Sequence, residues 1–461
     1  MEFLSDELLL NSGLAVQLYR DYARDLPIID YHSHLSPQEI AEDRPFFNLT
    51  ELWLKGDHYK WRLMRNCGVP EELVTGKASD RDKFRAFAAV LPAAIGNPIY
   101  IWCHLELKTY FGLTLELDER TADEVYDRTA ARMKDGSFSA KRLIARSNVS
   151  ALCTTDDPMD DLAFHKKIAA SGFETGVYPT FRPDRALRID RAGFAAYVQA
   201  LTGKKRPSLT EILAALSRRL DYFCENGCFI SDHALDNYTF MDCPASEAEE
   251  IVGDALAGRH PTDGDAEKYQ TYVLSFLAGE YSRRGMAMQL HLCCRRDNNG
   301  AKYAALGPDT GFDAIAQSKD SHKLAAFLDA LDRTDALPKT IVYSLDPNDD
   351  RLINSVLNAF QSPGTRGKLQ HGSAWWFNDT RFGMAAHLRT LSEYSVLGNF
   401  IGMLTDSRSF TSYVRHDYFR RILCSHIAQT VNDGEYPANQ ETLSRLIKNI
   451  CCDNAKNYFQ L

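Results

Sequence analysis

The 461-residue chain has no apolar run that would cross a bilayer with ease. Its longest, Phe87 to Trp102, is broken by Pro92, Gly96, Asn97 and Pro98. There is no basic stretch near the start, where Glu2, Asp6 and Glu7 stand instead. The opening residues therefore do not read as a secretory signal, and a cytoplasmic location is expected. Cys-x-x-Cys spacing is absent. The eleven cysteines are dispersed or adjacent, as in Cys293-Cys294 and Cys451-Cys452, which favours reduced, buried thiols over a zinc ribbon. Excess positive charge is lacking too. A net charge of −9 repels nucleic acid and anionic membrane, so neither is an expected partner, and an anionic small molecule would need local arginines to hold it. No Gly-x-Gly-x-x-Gly follows the first apolar run, and no internal repeat or low-complexity tract is visible.

What is present is enough apolar content, 44%, for a large core. Short β-rich runs recur along the chain: Leu26 to Tyr31, Asn148 to Thr154, Gly176 to Thr180, Gly227 to Ser231, Ala287 to Leu292, Thr340 to Ser344, Lys368 to Gly372 and Phe400 to Thr405. From the second onward each is followed by a helical pattern. After the first, the chain reads as helical and aromatic from Pro37 to about Arg146, with good helix formers from Ala122 to Lys134. Eight strands alternating with helices predict an α/β fold with right-handed crossovers, closed into a (β/α)8 TIM-type barrel. An open doubly wound sheet is the alternative, and the missing glycine motif argues against it. The expected organisation is one barrel domain over 1–461 with a helical insertion at about 37–146.

Barrel chemistry sits at the carboxyl ends of the strands. There the sequence places His32 and His34; Asp156 and Asp157; Arg182 and Asp184; Asp232 and His233; His291 and Arg296; Asp346 and Asn348; Trp375 and Trp376; and Asp406 and Arg408. His32-Ser33-His34 is weak evidence alone, since thirteen histidines are scattered through the chain. Two imidazoles two apart on an extended segment do share a face, however, and eight polar strand ends converging on one face are hard to explain as solvation. His32, His34 and Asp406 would form an N2O shell with open positions, which suits a catalytic and mononuclear site. Adjacent residues on a strand face opposite ways, so at most one of Trp375 and Trp376 is expected in the pocket. Asp346 and Asn348 flank Pro347 and read as turn residues.

Longer motifs carry a resemblance. His32-Ser33-His34, Asp57-His58-Tyr59-Lys60-Trp61-Arg62, Phe181-Arg182-Pro183-Asp184, Ser231-Asp232-His233, Gln289-Leu290-His291, Gly372-Ser373-Ala374-Trp375-Trp376-Phe377-Asn378 and Thr405-Asp406-Ser407-Arg408-Ser409-Phe410 resemble, in order, the uronate isomerase (glucuronate isomerase) family of amidohydrolase-like metal barrels. The resemblance implies interconversion of D-glucuronate with D-fructuronate and of D-galacturonate with D-tagaturonate, on one divalent ion, most often zinc. It implies His32, His34 and Asp406 as metal ligands, with Tyr59, Arg182, Asp232, His291, Arg296, Trp375 and Arg408 around the sugar. Arg295 and Asp297 depart from the family pattern, and register favours Arg296 as the pocket residue. The implied partner is a small uronate sugar; a homo-oligomer is compatible with everything above.

Moving a carbonyl from C1 to C2 requires loss of the C2 proton, transient negative charge on oxygen and reprotonation at C1. A fixed guanidinium or Lewis acid beside that oxygen lowers the barrier, and Arg408 fits the task. Asp406 is the expected base, although a metal would weaken it. Tyr59, Asp232 and His291 are candidates for relaying hydroxyl protons. Hydride transfer between the two carbons is the competing route. A mononuclear metal-dependent hydrolase is the nearest rival, because the same barrel activates water. Against it, strand 4 ends in Asp232-His233 and strand 6 in Ser344-Leu345-Asp346, which lack the usual ligands of a binuclear centre. A non-catalytic sugar-acid binding protein is the rival from another class.

Overall fold

The computed structural model describes residues 3–318, 320 and 322–461. Among these residues nine strands form: β1 (Ile28–Asp30), β2 (Val149–Cys153), β3 (Gly176–Tyr178), β4 (Ile230–Ala234), β5 (Ala287–Leu292), β6 (Cys294–Arg295), β7 (Ala314–Ile315), β8 (Lys339–Ser344) and β9 (Leu369–His371). β1, β2 and β3 pair in parallel, as do β4, β5, β8 and β9, while β6 and β7 make a small antiparallel hairpin. Phe181, just past β3, joins the two parallel sheets: its amide donates to Ile230 O at 3.1 Å and its carbonyl accepts from Asp232 N at 3.0 Å.

The surface then wraps onto itself. Asp406 N donates to His32 O at 3.2 Å and His34 N to Ser407 O at 2.9 Å, so the segment 400–407 lies against the end of β1. Alternate residues of successive strands fill one common interior: Ile29 and Tyr31, Ala151 and Cys153, Ile230, Ala287, Ile341 and Tyr343, and Ile401, with Tyr458 and Phe459 of the last helix packed among them. Inward side chains of β1, β2, β4, β5 and β8 meet in this one cluster, as they do in the interior of a (β/α)8 barrel. Helices cover the outside, and between β1 and β2 every regular element is a helix, from Pro37–Glu42 to Ala140–Arg146. No helix among the described residues is long and apolar enough to cross a membrane.

Two expected strands differ. The fourth begins at Ile230 instead of Gly227, because Gly227, at φ +89°, completes the turn that ends helix Leu209–Glu225. Asp232 and His233 therefore lie within β4, not beyond it. The eighth, Phe400 to Thr405, forms no ladder. Gly402 sits at φ +81°, outside the extended region, and a Cβ there would meet Ile450 O at 2.2 Å. Its backbone groups are satisfied by side chains instead: Asn454 Nδ2 donates to Phe400 O at 2.8 Å and Tyr31 OH to Gly402 O at 2.9 Å.

Candidate active site

The carboxyl ends of the strands open on a cavity of about 430 Å³. His32, His34, Arg182, His291, Arg296, Trp375, Asp406 and Arg408, all named from sequence, line it. Each arrives by a local backbone device. β1 delivers His32 and His34 on one face. Asp406 takes the left-handed conformation, φ +48°, which turns its carboxylate away from the direction of the preceding extended segment. Its Oδ1 lies 3.2 Å from His32 Nε2 and 3.1 Å from His34 Nε2, and its Oδ2 accepts from Trp375 Nε1 at 2.8 Å.

These three residues fit a divalent ion. Their ligand atoms all lie within 4.8 Å of one another. Bonds of about 2.0–2.1 Å in a tetrahedron leave ligands roughly 3.4 Å apart, close to the 3.2 and 3.1 Å between Asp406 Oδ1 and the two imidazoles. The electrostatics agree. Burial opposes charge on His32, yet Asp232 and the hydrogen-bonded Asp406 outweigh it and raise the ring's basicity, so this spot favours positive charge. Burial also opposes charge on Asp406, but hydrogen bonds from His32 and His34 hold its carboxyl well below the usual carboxylate range. Burial takes His34 down to about 4 and keeps it neutral, as a metal ligand must be.

A second set of donors, His32, Asp232 and His291, is also compact. Here a cation is already supplied: Arg182 Nη1 stands 3.0 Å from Asp232 Oδ2. The guanidinium occupies the charge balance a second ion would need, which favours one ion per site. Asp232 is fully buried and meets His291 Nδ1 through Oδ1 at 2.6 Å. Burial raises its carboxyl, but Arg182 and His291 overrule burial and keep it well below the ordinary value. His291 stacks on Tyr343, rings 4.4 Å apart, and burial lowers its basicity. With Nδ1 committed to Asp232, its Nε2 has no hydrogen-bond partner among the described residues and is free to take a proton.

Five arginines line the cavity of this acidic chain: Arg182, Arg185, Arg188, Arg296 and Arg408. They are not equivalent. Arg182 is tied to Asp184 at 2.7 Å as well as to Asp232, and Arg188 is tied to Asp190 and Asp236. Arg296 makes only distant contacts, 3.5 Å to Asp309 and 3.9 Å to Asp313, and lies 5.9 Å over the Trp376 ring. Arg408 makes no ion pair or hydrogen bond among the described residues. Arg295 is in β6 and does not line the cavity, whereas Arg296 does.

Other expectations need correction. Tyr59 is not among the lining residues. It packs 5.3 Å from the Arg415 guanidinium and 6.3 Å from the Trp376 ring, its hydroxyl buried without a partner, and burial keeps it protonated. Its neighbour His58 lines the cavity instead, at the start of a helix capped by Asp57. Both tryptophans reach the cavity because the chain leaves the extended conformation at Trp376, φ +49°. Asp232 stands behind the lining, reaching it through His291 and Arg182. Sequence reasoning passed over His58, Arg185 and Arg188. His58 lies in a quoted motif, but nothing short of the helix register separates it from Tyr59.

A profile of the glucuronate isomerase family matches residues 1–459. The chain belongs to that family. The uronate isomerase of Bacillus licheniformis is 48% identical over 461 residues, covering 99% of this chain and 98% of its own length. That of Caldicellulosiruptor bescii is 47% identical over 461 residues and covers 99% of both. Among solved structures, the uronate isomerase of Thermotoga maritima superposes with a TM-score of 0.94 at 32% identity, over 100% of each chain.

Proposed function

We propose that the chain interconverts D-glucuronate with D-fructuronate, and D-galacturonate with D-tagaturonate, as a cytoplasmic enzyme using one zinc ion held by His32, His34 and Asp406. The observation that carries this reading, beside family membership, is the pairing of that N2O donor set with two guanidiniums, of Arg296 and Arg408, that have little or no protein partner. A bound divalent ion supplies Lewis acidity at the C1–C2 end of the sugar.

The protein's own groups divide the remaining work. Arg296 holds the substrate carboxylate in a charge-assisted fork, with the remaining donors of Arg182 beside it. Arg408, two residues from Asp406, faces the oxygen on which charge develops as the C2 proton leaves. Asp406, kept ionised by its histidine neighbours, takes the C2 proton and returns it to C1. His291, with Nε2 free and its tautomer fixed by Asp232, moves the hydroxyl proton between the two oxygens. Trp375 fixes the Asp406 carboxylate in place through its indole N–H and closes the pocket with an apolar face.

Purified chain incubated with D-glucuronate should produce ketose in a coupled assay. Run from the ketose in deuterated water, the aldose formed should carry deuterium at C2. Deuterium at C2 would exclude direct hydride movement between the carbons, and lack of any ketose would remove the isomerase reading.

A further inference from the structure

We propose that Asp30, Thr405 and Arg415 form a buried clamp that sets Asp406 against His32 and His34, and through it the affinity of the site for its divalent ion. The inference rests on reading those three residues as the ligands.

The need for a clamp follows from the missing ladder. Strands that carry ligands are ordinarily held by backbone hydrogen bonds, but among the described residues the segment ending in Asp406 has none over Phe400 to Thr405 beyond a short turn at its start. Every polar group of Thr405 is instead taken by a side chain. Its amide donates to Asp30 Oδ1 at 2.7 Å, its hydroxyl donates to Asp30 Oδ2 at 2.6 Å, and its carbonyl accepts from Arg415 Nη1 at 3.0 Å. Asp30, Thr405 and Arg415 are 0%, 2% and 3% exposed, so water does not compete for these bonds.

The placement is specific. Asp30 is the last residue of β1 and stands two before His32, while Thr405 is the residue before Asp406. One carboxylate thus ties the strand bearing the imidazoles to the segment bearing the third ligand. Because Asp406 holds a left-handed backbone, its surroundings must fix it there. Thr405 held at all three polar atoms does so from one side, and Asp406 N on His32 O does so from the other. Arg415 is itself locked, with its guanidinium 4.1 Å from the Trp102 ring, 5.3 Å from the Tyr59 ring and 3.6 Å from Asp379 Oδ2. None of the three lines the cavity, so all act through Asp406 as positioning residues.

Thr405→Val removes the hydroxyl at nearly constant shape, and Thr405→Ser keeps it. Metal-free full-length chain would be reloaded with zinc in competition with a chelating dye, alongside kcat, KM and thermal unfolding of the metal-free form. Loss of an outer partner of a ligand weakens metal affinity by about 10- to 100-fold. Thr405→Val is expected to show that loss together with a lowered kcat, with Thr405→Ser restored to near the parental affinity. Asp30→Asn, which keeps one acceptor for the Thr405 amide, should fall between. Parental zinc affinity in Thr405→Val, or equal loss in the valine and serine variants, would overturn the clamp. His34→Ala is the control: zinc bound there as in the parent would instead overturn the ligand assignment itself.

Discussion

Asp406→Asn is expected to lower kcat by about 10³-fold, inside the range for loss of a positioned general base. The carboxylate has three duties in this site. Through Oδ1 it meets both imidazoles of β1, through Oδ2 it accepts from Trp375, and with Asp232 it supplies the negative charge that favours a cation between His32 and His34. Asparagine retains one oxygen and the side-chain shape, so the fold should persist while the charge and the proton acceptor vanish. Zinc should also bind more weakly in the variant, since one anionic ligand becomes neutral. Rate constants at saturating zinc separate the two effects. Full activity under that condition would exclude Asp406 as the base and leave His291, whose Nε2 has no partner, as the acceptor.

The second large effect separates two arginines that look alike in sequence. Arg408→Ala should lower kcat by about 10²- to 10³-fold with little change in KM, the pattern for a donor that acts mainly in the transition state. Arg296→Ala should act chiefly on KM. A hydrogen bond to a charged group contributes about 1.5–3 kcal/mol, so KM should rise roughly 10- to 150-fold. The distinction rests on geometry: Arg408 follows Asp406 by two residues at the ion site, whereas Arg296 lies against Trp376 and the Asp309–Asp313 turn. Steady-state kinetics on both variants check it. If Arg408→Ala altered KM alone, the charge developing on the substrate would have to be met elsewhere.

The sequence carried much of the barrel and less of its closure. Alternation of β-rich runs with helices located all seven parallel strands that form, since apolar strands buried on both faces read as short continuous runs. Strand 4 slipped by three residues because a left-handed glycine at 227 lengthened the helix turn before it. Phe400 to Thr405 has the composition of a strand, but Gly402 and the side chains of Tyr31, Asn454 and Asp30 replace its ladder, and no short-range pattern announces such long-range partners.

The same contrast holds at the pocket. His32, His34 and Asp406 could be named from i, i+2 spacing and family motifs. Trp376 could not be placed, because a positive φ reverses the strand rule that assigned it to the far side. Tyr59 and His58 differ by one helical step of about 100°, which exchanges a lining residue for a buried one. Asp30 lies in the open in the sequence, between Ile29 and Tyr31. Its two bonds to Thr405 span 375 positions and become visible only in the fold.

The most direct measurement is a titration of metal-free chain with zinc while the isomerisation of D-glucuronate is followed. Activity should rise in proportion to added zinc and level off at one equivalent per chain. A plateau reached only at two equivalents, or full activity in the chelated protein before zinc is added, would contradict the single-ion site formed by His32, His34 and Asp406.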